Sequence, residues 1–108
     1  MANDFKNAQA VGVTSVTTIY TAPAAKTSIL LELDIANTST NVVEASVEIF
    51  DTSASTDAFL VKNAPVPAGG TLQVVAGQKV ILEATDIVKV TATGAVDVVA
   101  AILEDVNS

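Results

Sequence analysis

Ser28-Ile-Leu-Leu-Glu-Leu-Asp-Ile-Ala, Asn37-Thr-Ser-Thr-Asn, Val42-Val-Glu-Ala-Ser-Val-Glu-Ile-Phe50 is the stretch that decides the fold. Ile29, Leu31, Leu33 and Ile35 alternate with Leu30, Glu32, Asp34 and Ala36. Val43, Ala45, Val47 and Ile49 alternate with Glu44, Ser46 and Glu48. Period-two alternation marks half-buried strands. The two runs also match each other. With Ala36 opposite Val42, Ile35 meets Val43, Leu33 meets Ala45, Leu31 meets Val47 and Ile29 meets Ile49. One register thus gathers every apolar position on a single face. The stretch predicts a hairpin with a five-residue loop, the spine of a β-domain.

Outward from this spine the chain keeps the same character. Val11–Thr21 is rich in Val, Thr and Ile and reads as a strand broken near Gly12. Ala22-Pro23-Ala24-Ala25-Lys26 is a turn, because Pro23 fixes φ and withholds a donor. Ala58–Asn63, Thr71–Ala76 and Lys79–Glu83 read as further strands, separated by the Pro65–Gly70 break and a Gly77-Gln78 turn. Ile87–Ala92 and Val96–Leu103 predict a closing hairpin around Thr93-Gly94-Ala95, with Val90 opposite Val98. The sum is an all-β chain of about eight short strands, an antiparallel β-sandwich of jelly-roll or Ig-like kind. A length of 108 residues allows one domain. The expected division is an N-terminal arm over 1–10 and a sandwich over 11–108.

Composition narrows the chemistry. The chain has no Cys, His or Trp, which removes disulfides, thiolate or imidazole metal sites and a Ser–His triad. A net charge of −7 with five scattered lysines opposes nucleic-acid binding. No apolar run approaches a membrane helix, and the N-terminus carries no secretion signal, so no membrane partner is expected. Mean hydropathy is nevertheless +0.52, a surplus that surface buried against other chains would explain.

Candidate contact residues follow from local pattern. Phe5 is the one large apolar group of the polar N-terminal stretch, an anchor if the arm orders on a neighbour. The Thr52–Asp57 loop is a solvated connector or, more sharply, a contact loop ending in Asp57. Val96–Leu103 loses alternation after Asp97, so Val99, Ala101 and Leu103 would face either a second layer or another subunit. In the hairpin register the outer face carries Glu32, Asp34, Glu44 and Glu48, with Asp34 opposite Glu44. Facing like charges cost a few tenths of a kcal/mol to about 1 kcal/mol, so a basic partner, a hard cation or simple solvation must relieve them. No acid pair sits among the aromatic platforms that a glycosidase needs. Asn37-Thr38-Ser39 fits the glycosylation pattern, but Asn37 serves better as a turn residue. No cofactor is expected.

Three passages add a family resemblance. Ile19-Tyr-Thr-Ala-Pro-Ala-Ala-Lys-Thr27 leads into the strand ending Ile35-Ala-Asn-Thr38. Leu60-Val-Lys-Asn-Ala-Pro-Val-Pro-Ala-Gly-Gly-Thr-Leu72 follows, and Leu82-Glu-Ala-Thr-Asp-Ile-Val-Lys-Val90 closes the series. Their order resembles small β-sandwich virion structural proteins of tailed bacteriophages, over most of residues 19–104. Related patterns often hold Gly at the places of Ala25 and Thr85. The resemblance implies a non-enzymatic virion component, a capsid decoration or cement protein. It would be assembled in the host cytoplasm, a homotrimer bound to the major capsid protein or another virion protein. A head–tail adaptor, neck or tail component is the nearest alternative. A receptor- or carbohydrate-binding module is the alternative from another class, though the poverty in aromatics disfavours sugar stacking.

Overall fold

The structure, a computed structural model, describes residues 4–105. Expectations placed on residues 1–3 and 106–108 lie outside it. Eight strands follow one another among the described residues: β1 (Asp4–Val13), β2 (Thr17–Thr21), β3 (Ser28–Asn37), β4 (Val43–Asp51), β5 (Thr56–Val66), β6 (Thr71–Leu82), β7 (Ile87–Ala92) and β8 (Val96–Glu104). They form two antiparallel four-stranded sheets, ordered β1-β8-β3-β6 and β2-β7-β4-β5. The fold is all-β, as the sequence pattern indicates, and the two sheets pack as a sandwich.

The pairings obey one rule. β1 pairs with β8, β2 with β7, β3 with β6 and β4 with β5, all antiparallel. The chain doubles back on itself at the β4–β5 turn. Cross-links β3–β8 and β4–β7 then roll the double ribbon into two layers. This is the jelly-roll strand order.

That topology overturns both expected hairpins. β3 lies in one sheet and β4 in the other, so the segment 38–42 crosses between layers instead of turning within one. Ile35 is opposite Val98 and Leu72, and Ala45 is opposite Ala92 and Ala64. Likewise β7 and β8 sit in opposite sheets; Val90 is opposite Val47 and Thr17, not Val98. The physical reason is shared. An alternating strand needs its apolar face covered, and a facing sheet covers it as well as a neighbour in the same sheet orders it. Periodicity specifies a face, not a partner.

Two bulges revise the expected faces. In β3, Ile29 pairs with Leu103 and Leu30 with Ile102, but Glu32 pairs with Ala101, leaving Leu31 as the extra residue. The phase of alternation changes there. Ser28, Leu30, Leu33, Ile35 and Asn37 are buried, while Ile29, Leu31, Glu32, Asp34 and Ala36 are partly or fully exposed. The expected turn at Gly77-Gln78 is a bulge within the single strand β6. Glu32 pairs with Ala76 and Leu30 with Val80, and the intervening residues include Gly77 at φ 97° and Lys79 at φ 61°.

At the N-terminus, Asp4–Ala10 is no separate arm. Those residues pair continuously with β8, from Asp4 opposite Glu104 to Ala10 opposite Val98. The strand expected over Val11–Thr21 divides into the end of β1 and all of β2. Gly12, at φ 67°, lies in the irregularity between Ala10 and Val13.

The core is aliphatic. Leu30, Leu33, Ile35, Val47, Val66, Val75, Leu82, Val88, Val90, Val98 and Ile102 are fully buried between the sheets. Burying each such side chain contributes roughly 1.5–3 kcal/mol. Asn37 closes the β3–β4 crossover. Its Nδ2 donates to the carbonyls of Asn41 (2.7 Å) and Val66 (2.9 Å), and its Oδ1 accepts from the Ser39 N–H and hydroxyl.

Candidate interaction surface

The outer face of the β1-β8-β3-β6 sheet is built row by row from its register. Directly opposed residues of an antiparallel sheet share a face. Phe5, Leu103, Ile29 and Ile81 are opposite one another across all four strands. The next rows place Asn7, Ala101 and Glu32 together, with the bulged Leu31 beside Glu32, and then Gln9, Val99, Asp34 and Gln73. Phe5 is 77% exposed, Ile81 57% and Val99 49%. Leu103, Ile29, Leu31 and Ala101 are half-buried. An apolar band therefore crosses a sheet face that no other layer of the described chain covers.

This face gathers Phe5, Val99, Ala101 and Leu103, four residues singled out by sequence. It also carries Ile29, Leu31 and Ile81, which sequence reading misplaced or missed. The signal was present in β3, where five apolar residues in seven positions exceed what one buried face requires. Glu32 and Asp34 border the band. Asp34 Oδ1 is occluded and accepts no hydrogen bond among the described residues.

The acidic face expected from the hairpin does not exist as one surface. Glu32 and Asp34 belong to one sheet, Glu44 and Glu48 to the other. Asp34 is opposite Val99 and Gln73, and Glu44 is opposite Pro65. Glu48 is opposite Lys89 across β4 and β7. The Lys89 ammonium lies 3.6 Å from Asp57 and 4.9 Å from the centroid of the Phe50 ring. The like-charge pair that called for relief disappears with the hairpin.

The expected contact loop before Asp57 is the β4–β5 turn, and its polar groups serve the fold. Asp51 Oδ1 accepts from the Ser53 hydroxyl and the Ala54 N–H, and the Thr52 hydroxyl donates to the Thr85 carbonyl at 2.7 Å. Buried Asp86 accepts from the Thr52 N–H (3.2 Å) and the Glu83 N–H (3.0 Å), one on each oxygen. Asp51, Glu83 and Asp86 place carboxylate oxygens within 4.8 Å of one another, beside an open groove of about 540 Å³ lined also by Ile49, Ala54 and Ile81. Asp86 uses both oxygens to hold backbone, which accounts for its burial without a ligand.

One end of the sandwich is closed by a second polar group. The Tyr20 hydroxyl donates to Glu104 Oε2 at 2.5 Å and lies 3.2 Å from the Ser28 hydroxyl. Lys6 reaches Glu104 Oε1 at 3.2 Å, and Lys26 lies 3.7 Å from Asp105. The hydrogen bond from Tyr20, with help from Lys6, holds the Glu104 carboxyl below its ordinary value of 4.5 despite burial. Burial first, and then the bond to Glu104, push the Tyr20 phenol up to about 12. These groups fasten β1, β2, β3 and β8 together.

No family model matches this chain, and no curated protein matches it.

Proposed function

We propose that the chain is a non-catalytic structural subunit of a virion, a capsid decoration protein that docks through the outer face of its β1-β8-β3-β6 sheet. The apolar row Phe5–Leu103–Ile29–Ile81 carries the reading. Exposed apolar surface of this kind marks a protein contact. The virion setting rests on the resemblance of the turn-and-strand order, and on an analogy with the jelly rolls of viral capsid domains. Structural roles favour a mechanical part over an enzyme: Asp86 holds backbone and Glu104 binds Tyr20 and Lys6. Many equivalent contacts on a shell would add by avidity.

Quantitative mass spectrometry of purified particles tests the assignment. Hundreds of copies per particle are expected; about a dozen would move the chain to a neck or tail ring, and absence would reject the virion setting. Docking through the face is tested by Val99→Asp combined with Leu103→Asp. The pair should abolish incorporation while circular dichroism stays that of a folded β-protein.

A further inference from the structure

The four sheet edges of this molecule are not alike. Exposed edges are usually blunted by short length, bulges, Pro or Lys, because unpaired backbone groups recruit other strands. β2 is five residues long and its register shifts between Thr18 and Tyr20. β5 carries Lys62, Asn63 at φ 54° and Pro65, and its register with β4 shifts twice. β6 is interrupted by the Gly77–Lys79 bulge. β1 keeps one of these devices, Lys6, whose ammonium is drawn onto Glu104 of the neighbouring β8 at 3.2 Å. Otherwise, from Asp4 to Ala10, seven consecutive residues pair with β8 without a shift, and the segment holds neither Pro nor Gly. Among the described residues no strand pairs with its other edge.

We propose that β1 pairs antiparallel with β1 of a second copy, centred on Asn7, joining two sheets into one of eight strands across a two-fold axis. The register follows from the residues. Centring on Lys6 or Asp4 would set like charges directly opposite each other. Centring on Asn7 pairs all seven residues. Asp4 then meets Ala10 of the second copy, Phe5 meets Gln9, Lys6 meets Ala8 and Asn7 meets Asn7, with no like charges opposed. The same register keeps Phe5, Asn7 and Gln9 of both copies on one face, so the two apolar bands become parts of a single surface. Antiparallel pairing of identical strands is two-fold by construction, which departs from the three-fold arrangement that the family resemblance implies. The dimer is independent of the virion assignment, because its test involves no shell.

Native Cys is absent, which makes cross-linking decisive. Opposed antiparallel residues have Cα atoms about 4.5–5.5 Å apart, within the roughly 4.4–6.8 Å span of a disulfide. Asn7→Cys, oxidised with copper–phenanthroline, should run as a covalent dimer on a non-reducing gel. Gln9→Cys should not, since the two Gln9 positions lie about 13 Å apart along the strands. Sedimentation velocity should show the unmodified chain as a dimer, and Asn7→Lys should weaken association at least tenfold with unchanged circular dichroism. A chain that stays monomeric at high concentration would overturn the proposal. So would failure of Asn7→Cys to cross-link, equal cross-linking through Gln9→Cys, or an oligomer indifferent to Asn7→Lys.

Discussion

Thr85 stands at φ 66° and Ala25 at φ 62°, the left-handed region where a Cβ crowds the backbone at a cost of about 1–2 kcal/mol. The strain is greatest for the β-branched Thr85. Its backbone is nevertheless needed there, since the Thr85 N–H donates to the Ala22 carbonyl at 3.1 Å. Thr85→Gly should raise unfolding free energy by about 0.5–1 kcal/mol, after allowing for the extra freedom of glycine in the unfolded chain. Urea denaturation measures it, and a loss of stability would mean that the threonine hydroxyl outweighs the strain. A second residue-scale expectation concerns Tyr20 and Glu104. Folding raises the Tyr20 pKa, so its contribution is complete below about 10 and is lost as pH rises toward about 12. Folding lowers that of Glu104, so its contribution is present above about 4.5 and is lost as pH falls through the folded value. Tyr20→Phe should remove the alkaline decline and blunt the acid one, read from thermal unfolding across pH. An unchanged alkaline decline would assign that decline to other groups.

Among the elements, the crossover between β7 and β8 is fastened to β4, the neighbour of β7, before it leaves their sheet. The Thr93 N–H donates to the Glu44 carbonyl at 3.0 Å, and the Thr93 hydroxyl accepts from the Glu44 N–H at 2.9 Å. Gly94 is thereby pressed on Val43: a Cβ there would sit 2.5 Å from Val43 Cγ1. Val43 is buried and stiff, so Gly94→Ala should cost roughly 1–3 kcal/mol, measured by chemical denaturation. A neutral result would show that the crossover can lift away from β4. The same element marks the limit of sequence reading. Val88, Val90, Val96 and Val98 are legible in the sequence as strand positions. What alternation omits is whether Thr93-Gly94-Ala95 turns within a sheet or steps across to the other. Leu31 adds a second limit, because one bulged residue reverses the faces of everything before it. The exposed apolar band was half legible for the same reason. Val99, Ala101 and Leu103 broke the alternation of β8 openly, whereas Ile29 and Ile81 were hidden by the assumed phase and the assumed turn.

At the scale of the molecule, the two sheets carry different outer faces. The β2-β7-β4-β5 sheet mixes signs, with Lys89 set among Glu48, Asp57 and Phe50. The β1-β8-β3-β6 sheet presents aliphatic side chains bordered by Glu32 and Asp34. Part of the mean hydropathy of +0.52 thus has a location: Phe5, Ile81 and Val99 are exposed on this side, while Phe59 and Leu60 are exposed on β5 of the other sheet. In the docking role proposed above, the acids bordering the β1-β8-β3-β6 face would favour a surface that brings Lys or Arg to the border of an apolar contact.

The pairing rule also governs the order in which the molecule can be made. Among the described strands, β4 with β5 is the one pair formed by neighbours in sequence; β1 must wait for β8, which is synthesised after the other seven. Moreover, β8 lies between β1 and β3, so until it arrives one sheet is split down its middle. Such distant pairings are slow to close, and the waiting intermediate exposes strand edges that favour aggregation. Closure of this jelly roll therefore waits on β8, and a chain cut short before Val96 has no route to the native sheet.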